Sequence, residues 1–148
     1  MRDSSDHPAT RPGEGVTAPI GKIAGVVFGV IALSTVAAAG IAATTAPDAL
    51  PAAIAGGVSA MVGAMLGLLP MVMAGEVKPF ALAMAWIFGS STRMVVAAGA
   101  ALAAVLAGGL DPMWTLGAML GACLAALAAE LLIIMPVVGA RPNTEGAH

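Results

Sequence analysis

Residues 79–110 read PFALAMAWIFGSSTRMVVAAGAALAAVLAGGL, and this stretch decides the fold. Arg93 is the only charged residue in it. A helix needs about 20 predominantly apolar residues to cross the hydrocarbon core of a bilayer. The stretch exceeds that length, and it lacks the strict polar alternation of the strands of a membrane barrel. It therefore predicts a transmembrane helix with one arginine near its middle.

The rest of the chain has the same character. Of its 148 residues, 59% are hydrophobic and 9% are charged, whereas soluble domains contain about 25% charged residues. Three further long intervals are uncharged, except for Glu130 in the last of them. Open strand edges have no hydrogen-bond partners in lipid, so the fold class is predicted to be all-α and integral to a membrane. We expect four transmembrane helices, at about 21–45, 51–74, 79–107 and 113–138.

The connections and the basic residues predict the arrangement of these helices. The short links APDALP and GGLDP each pair a proline with an aspartate, which is typical of tight turns. Residues 20–139 are therefore predicted to form one domain of two antiparallel hairpins. The basic residues outside the apolar intervals all fall in the tails, at the start of the first helix or in the central loop, and the positive-inside rule places both termini in the cytoplasm. These residues are Arg2, Arg11, Lys22, Lys78 and Arg141.

The ends of the chain are polar. Residues 1–19 and 140–148 are rich in charge, proline and glycine, which predicts disordered cytoplasmic tails. The first apolar interval continues to about Thr45, long enough to span the membrane. We therefore expect it to be retained as a helix and not removed as a signal peptide.

Several function classes are excluded by what the sequence lacks. The single cysteine, Cys123, allows no disulfide within the chain and no multi-cysteine metal site. His7 and His148 both lie in the polar tails, and the net charge of −2 does not favour nucleic acid. No nucleophile–base pair, phosphate loop or metal-ligand cluster is recognisable. We expect a protein that is not an enzyme, has no catalytic residues and holds no metal or cofactor.

Arg93 and Glu130 are the candidate site. Arg93 is roughly 20 Å from the cytoplasmic end of the third helix, and Glu130 is roughly 12 Å from that of the fourth. A buried arginine costs at least about 2.5–3.5 kcal/mol on insertion scales, so a partner is expected. Both side chains are long enough to meet, with Ser90, Ser91 and Thr92 offering further hydrogen bonds. Two interpretations stay open: an ion pair that fixes helix packing, and a polar site for an ion or for a partner's carboxylate.

Glycines four residues apart predict where helices approach one another. Such pairs lie on one helix face and allow close backbone contact. Pro70 interrupts the second helix and predicts a kink, because proline removes a helical hydrogen bond. The glycines predicted to pack are Gly25, Gly29, Gly63, Gly67, Gly117 and Gly121.

Residues 56–102 contain a glycine-bearing second helix that reaches a proline, then a short loop and a third helix. In that third helix a small residue precedes a basic one at mid-membrane. The residues concerned are Gly63, Gly67, Pro70, Gly89 and Arg93. In these features the stretch resembles the ATP synthase protein I family, small four-helix membrane proteins encoded beside the subunits of bacterial F-type ATP synthases. Many members carry lysine at the basic position, preceded by an acidic residue, whereas here Gly-Ser-Ser-Thr precedes arginine.

The resemblance implies an accessory role in the bacterial plasma membrane. It implies help with assembly of the ring of c subunits, or with ion supply to the complex, and Arg93 would then meet the acidic residue of a c subunit. The expected partners are the lipid bilayer, that c subunit and a second copy of the chain. Two other classes stay open: a small ion or solute transporter or channel, and a structural subunit of a larger membrane complex.

Overall fold

The computed structural model describes residues 20–74 and 79–139, and every regular element in these ranges is helical. Helix α1 covers Ile20–Thr45, α2 Leu50–Ala74, α3 Pro79–Gly108 and α4 Pro112–Gly139, with a 3-10 turn at Pro47–Ala49. All four α-helices are long and apolar enough to cross a membrane. The all-α class and the four helices are confirmed. The tails predicted at 1–19 and 140–148, and most of the central loop, at 75–78, lie outside the described residues.

Local sequence explains the link between α3 and α4. Gly109 has a φ of +63°, a left-handed conformation that glycine adopts without strain. Its N–H donates to the Val105 carbonyl at 3.1 Å and ends α3. Asp111 then caps α4, because its side-chain oxygen accepts the Trp114 N–H at 3.0 Å. Pro112 occupies the first helical position, where a missing N–H costs nothing.

Helices α2 and α4 form the centre of the bundle. Each packs against the other three helices, which places α1 and α3 on opposite sides of them. Helix α3 packs more extensively against α2 than against α4. Gly63 lies against Ala97, and Gly67 lies against Gly89 further back along α3, so α2 and α3 run in opposite directions.

The core is built mainly from small side chains. Helix α1 contributes three aliphatic residues to it, and Ile23, Val27 and Ile31 are almost completely buried. The rest of the core cluster is mostly alanine, at positions 60, 64, 97, 101, 122 and 126. Small side chains let helix backbones approach closely, which is how helices associate in lipid, where water provides no driving force. The large apolar residues instead lie outward, among them Leu33, Val95, Leu106 and Leu132.

Candidate functional site

The structure brings Arg93 of α3 and Glu130 of α4 together in a bidentate ion pair. Arg93 Nη2 donates to Glu130 Oε2 at 2.9 Å, and Arg93 Nη1 donates to Glu130 Oε1. The two residues are 4% and 3% exposed. A parallel pair of charge-assisted hydrogen bonds is among the strongest polar contacts in proteins. The two charges therefore cancel each other inside the bundle.

Trp86 completes this polar cluster. Its indole Nε1–H donates to Glu130 Oε2 at 3.1 Å, so one carboxylate oxygen accepts hydrogen bonds from two residues of α3. Trp86 lies seven residues, about two helical turns, before Arg93. Both side chains therefore lie on the side of α3 that faces α4. The sequence interpretation missed Trp86, although a tryptophan seven residues from a buried arginine lies on the same helix face, and that spacing was a usable signal.

One nitrogen of the guanidinium has no partner among the described residues. Arg93 Nε is buried and forms no hydrogen bond to any described residue. A buried donor that loses its water without gaining a partner costs about 1–3 kcal/mol. The site is thus neutral in charge but incompletely satisfied in hydrogen bonding.

Glycines of α2 make room for the arginine. A Cβ atom at Gly67 would lie 2.7 Å from the Gly89 carbonyl oxygen and 2.8 Å from the Arg93 Cβ. A Cβ at Gly63 would lie 2.5 Å from the Arg93 carbonyl oxygen. Real Cβ atoms do not approach so closely, so glycine is required at both positions for α3 to lie where it does. Gly63 and Gly67 therefore lie at a helix contact, as their spacing predicts.

The other four glycines predicted to pack make no close contact with the described part of the chain. An added Cβ would meet no atom within 4 Å at Gly25, Gly29, Gly117 or Gly121, and all four are exposed. They therefore make no close helix contact with the described residues, and their packing against a helix stays a prediction. In a chain with 19 glycines, pairs of glycines four residues apart occur on outward-facing as well as on inward-facing helix surfaces. Two further glycines, which the four-residue spacing did not indicate, also pack closely. A Cβ at Gly56 would overlap the Thr115 carbonyl of α4, and a Cβ at Gly57 would overlap the Thr35 side chain of α1.

The remaining predicted site residues behave differently. Pro70 lies inside α2, four residues before its end, and the helix continues past it to Ala74. The hydroxyl groups of Ser90, Ser91 and Thr92 lie next to Arg93 in the sequence and can supply further hydrogen bonds there. They form none of the side-chain hydrogen bonds found among the described residues. Glu130 accepts hydrogen bonds from both terminal nitrogens of the guanidinium, and Arg93 Nε forms none to any described residue.

The site's chemistry is that of a neutral, buried polar cluster. No group of three or more potential metal ligands occurs among residues 20–74 and 79–139. Arg93 and Ser90 also border a recess of about 180 Å³. The fold and site define a multi-pass helical membrane protein with one intramembrane ion pair in the part of the chain that the structure describes.

No family model, curated protein or solved structure matches this chain.

Proposed function

We propose that the protein is a non-enzymatic accessory factor of a bacterial F-type ATP synthase, assisting assembly of the c-subunit ring or ion supply to the complex. The proposal starts from the resemblance of residues 56–102 to the ATP synthase protein I family. One structural observation carries it further: four of the five residues that bear the resemblance, all but Pro70, meet at one place. Gly63 and Gly67 of α2 contact Arg93, and Gly67 contacts Gly89.

The ion pair favours an accessory role over transport. A transported ion or solute needs a polar group that is free to bind it, but Glu130 and Trp86 already occupy this site. A bidentate pair between α3 and α4 instead gives the bundle a fixed shape on which a partner helix can assemble. In this proposal Arg93 stabilises the packing of the bundle through its ion pair with Glu130. It can contact the acidic residue of a c subunit only if that residue replaces Glu130 as its partner.

Purification in mild detergent tests this function. The tagged protein, expressed in a bacterium together with the genes of one F-type ATP synthase, is expected to retain the c subunit. A double variant, Arg93→Leu with Glu130→Leu, removes both charges without leaving either one unpaired, and it separates the role of charge from folding. We expect it to retain less c subunit and to yield less assembled ring. Wild-type protein free of c subunit would overturn the proposal and leave the transporter class and the structural subunit of another membrane complex.

The proposed arrangement in the membrane is two antiparallel hairpins with both termini in the cytoplasm. Asp48 and Asp111, in the exposed links, would then lie on the opposite side. In a Cys123→Ala background, single cysteines at 48 and 111 are expected to react with a membrane-impermeant maleimide added to intact cells. Cysteines at positions 2 and 145 should react only after the cells are permeabilised. The reverse pattern would invert the orientation.

A further inference from the structure

A small cavity lies inside the bundle beside the ion pair. Its volume is about 10 Å³, and helices α2, α3 and α4 all contribute residues to its wall. Gly67 and Gly89 border it without a side chain to fill it, and the polar residues on its border include Ser90, Arg93 and Glu130. The cavity is therefore enclosed by three helices and has a polar wall.

The cavity follows the Arg93 side chain. At the base of that side chain is Gly67, where an added Cβ would lie 2.8 Å from the Arg93 Cβ. At its far end is Glu130, which accepts hydrogen bonds from the two terminal nitrogens. Nε lies between these two points, in a residue that is only 4% exposed. The cavity thus passes the one guanidinium nitrogen that has no partner among the described residues.

Acceptors with spare capacity border the same cavity. A carboxylate has about four acceptor positions, and Glu130 uses three of them, for two nitrogens of Arg93 and the indole of Trp86. The remaining position is on Oε1, which accepts a single hydrogen bond from the described residues. The hydroxyl oxygen of Ser90 can also accept, even when its own proton is donated to a carbonyl of the preceding helical turn.

Water is the ligand whose size and chemistry fit this cavity. One water molecule needs about 10–15 Å³ and two to four polar partners, and cavities that are wholly apolar stay dry. The volume of about 10 Å³ leaves no room for a larger molecule, and a cation cannot accept a hydrogen bond from Nε. Arg93 lies roughly 14 Å inside the nearer end of the apolar span Met84–Gly108. Water at that depth must be held by the protein itself, as ordered waters within helical membrane proteins are.

We infer that this cavity binds one water molecule as a further member of the polar cluster. The water accepts the hydrogen bond from Arg93 Nε and donates to Glu130 Oε1 and to the Ser90 hydroxyl oxygen. Each nitrogen of the guanidinium then has a partner, and the ion pair is hydrated without being open to the lipid. The inference rests on the geometry around Arg93 and not on the proposed role at an ATP synthase.

A crystal structure of the full chain, grown in a lipidic mesophase, tests the inference directly. At a resolution that shows ordered waters, we expect one isolated peak of electron density in the cavity, about 2.7–3.2 Å from Arg93 Nε. The absence of any peak there would overturn the inference. A protein oxygen at that distance from Nε would also overturn it, because the chain would then satisfy Nε by itself.

Solid-state NMR of the protein in lipid bilayers gives a second measurement. Replacing the arginines at 2, 11 and 141 with lysine leaves Arg93 as the only arginine of the chain. Isotope-labelled arginine then reports on this side chain alone. We expect magnetisation that starts on water protons to reach the Nε–H proton of Arg93. Adding Ser90→Val should abolish most of this transfer, because valine removes an acceptor and places methyl groups at the cavity.

Ser91→Val is the matched control. Ser91 is the next residue along α3, but it is exposed and does not border the cavity, so its replacement should keep the full transfer. Circular dichroism checks that both variants keep their helical content, and the crystal structure decides the matter if Ser90→Val does not fold. Equal transfer in Ser90→Val and the parent protein would overturn the inference. An equal loss in both valine variants would overturn it as well, since a change away from the cavity would then explain the loss.

Discussion

Replacing Glu130 with leucine is expected to lower the free energy of unfolding by about 3–5 kcal/mol, the usual cost of breaking a buried ion pair. The variant leaves Arg93 charged and almost fully buried, since a guanidinium does not give up its proton in proteins. It also leaves the Trp86 N–H without its acceptor. The measurement is unfolding of the purified protein in mixed micelles, titrated with a denaturing detergent and followed by circular dichroism.

Arg93 and Glu130 are not equivalent, so replacing each one separately provides a control for the loss of stability. Arg93→Leu should destabilise less than Glu130→Leu, because the remaining carboxylate still accepts the hydrogen bond from the Trp86 N–H. The double variant Arg93→Leu, Glu130→Leu should recover most of the lost stability, since well-packed apolar residues often replace a buried pair at little cost. A double variant as unstable as Glu130→Leu alone would show that the loss comes from packing and not from the unpaired charge.

The second large effect is expected at the α2–α3 contact. Gly63→Ala would place a Cβ 2.5 Å from the Arg93 carbonyl oxygen and 2.8 Å from the Ala97 Cβ. Neither atom lies at the end of a flexible side chain, so the two helix backbones must move apart. Overpacking of this kind costs about 1–3 kcal/mol. The same micelle unfolding assay measures it, and the displacement of α3 should also change the fluorescence of Trp86.

Gly117→Ala is the matched control. The sequence GAMLG occurs at 63–67 and again at 117–121, so Gly117 begins the second copy as Gly63 begins the first. Gly117, however, faces open space. Its replacement should leave stability unchanged or raise it by up to about 1 kcal/mol, the helix propensity gained over glycine. Equal losses at positions 63 and 117 would contradict the packing described for α2 and α3.

The helices could be predicted from the sequence because the constraint is coarse. In this composition an uncharged run of about 20 residues has few possible structures other than a membrane-spanning helix. No predicted helix bound differs from the observed one by more than one residue. The pairing of Arg93 with Glu130 was open to sequence reasoning for a related reason. They are the only charged residues within the apolar intervals, so each had one candidate partner.

The packing faces could not be predicted in the same way. Gly63 and Gly117 begin identical five-residue sequences, yet one is buried against α3 and the other is exposed. Which face of a helix turns inward depends on its rotation about its own axis. In a soluble protein an amphipathic pattern reveals that rotation, but here both faces are apolar. The hydrogen bond from Trp86 depends on the same rotation, and so does the exposure of Ser91.

The separation of Arg93 and Glu130 along the chain has a consequence for biosynthesis. Glu130 is synthesised 37 residues after Arg93, which takes roughly 2–7 s at ordinary elongation rates. During that interval α3 enters the membrane with its arginine unpaired, at a cost of about 2.5–3.5 kcal/mol on insertion scales. The apolar remainder of α3 must offset that cost until α4 arrives. The fourth helix thus completes the insertion of the third, and a ribosome that stops before Glu130 leaves the third helix held only weakly in the bilayer.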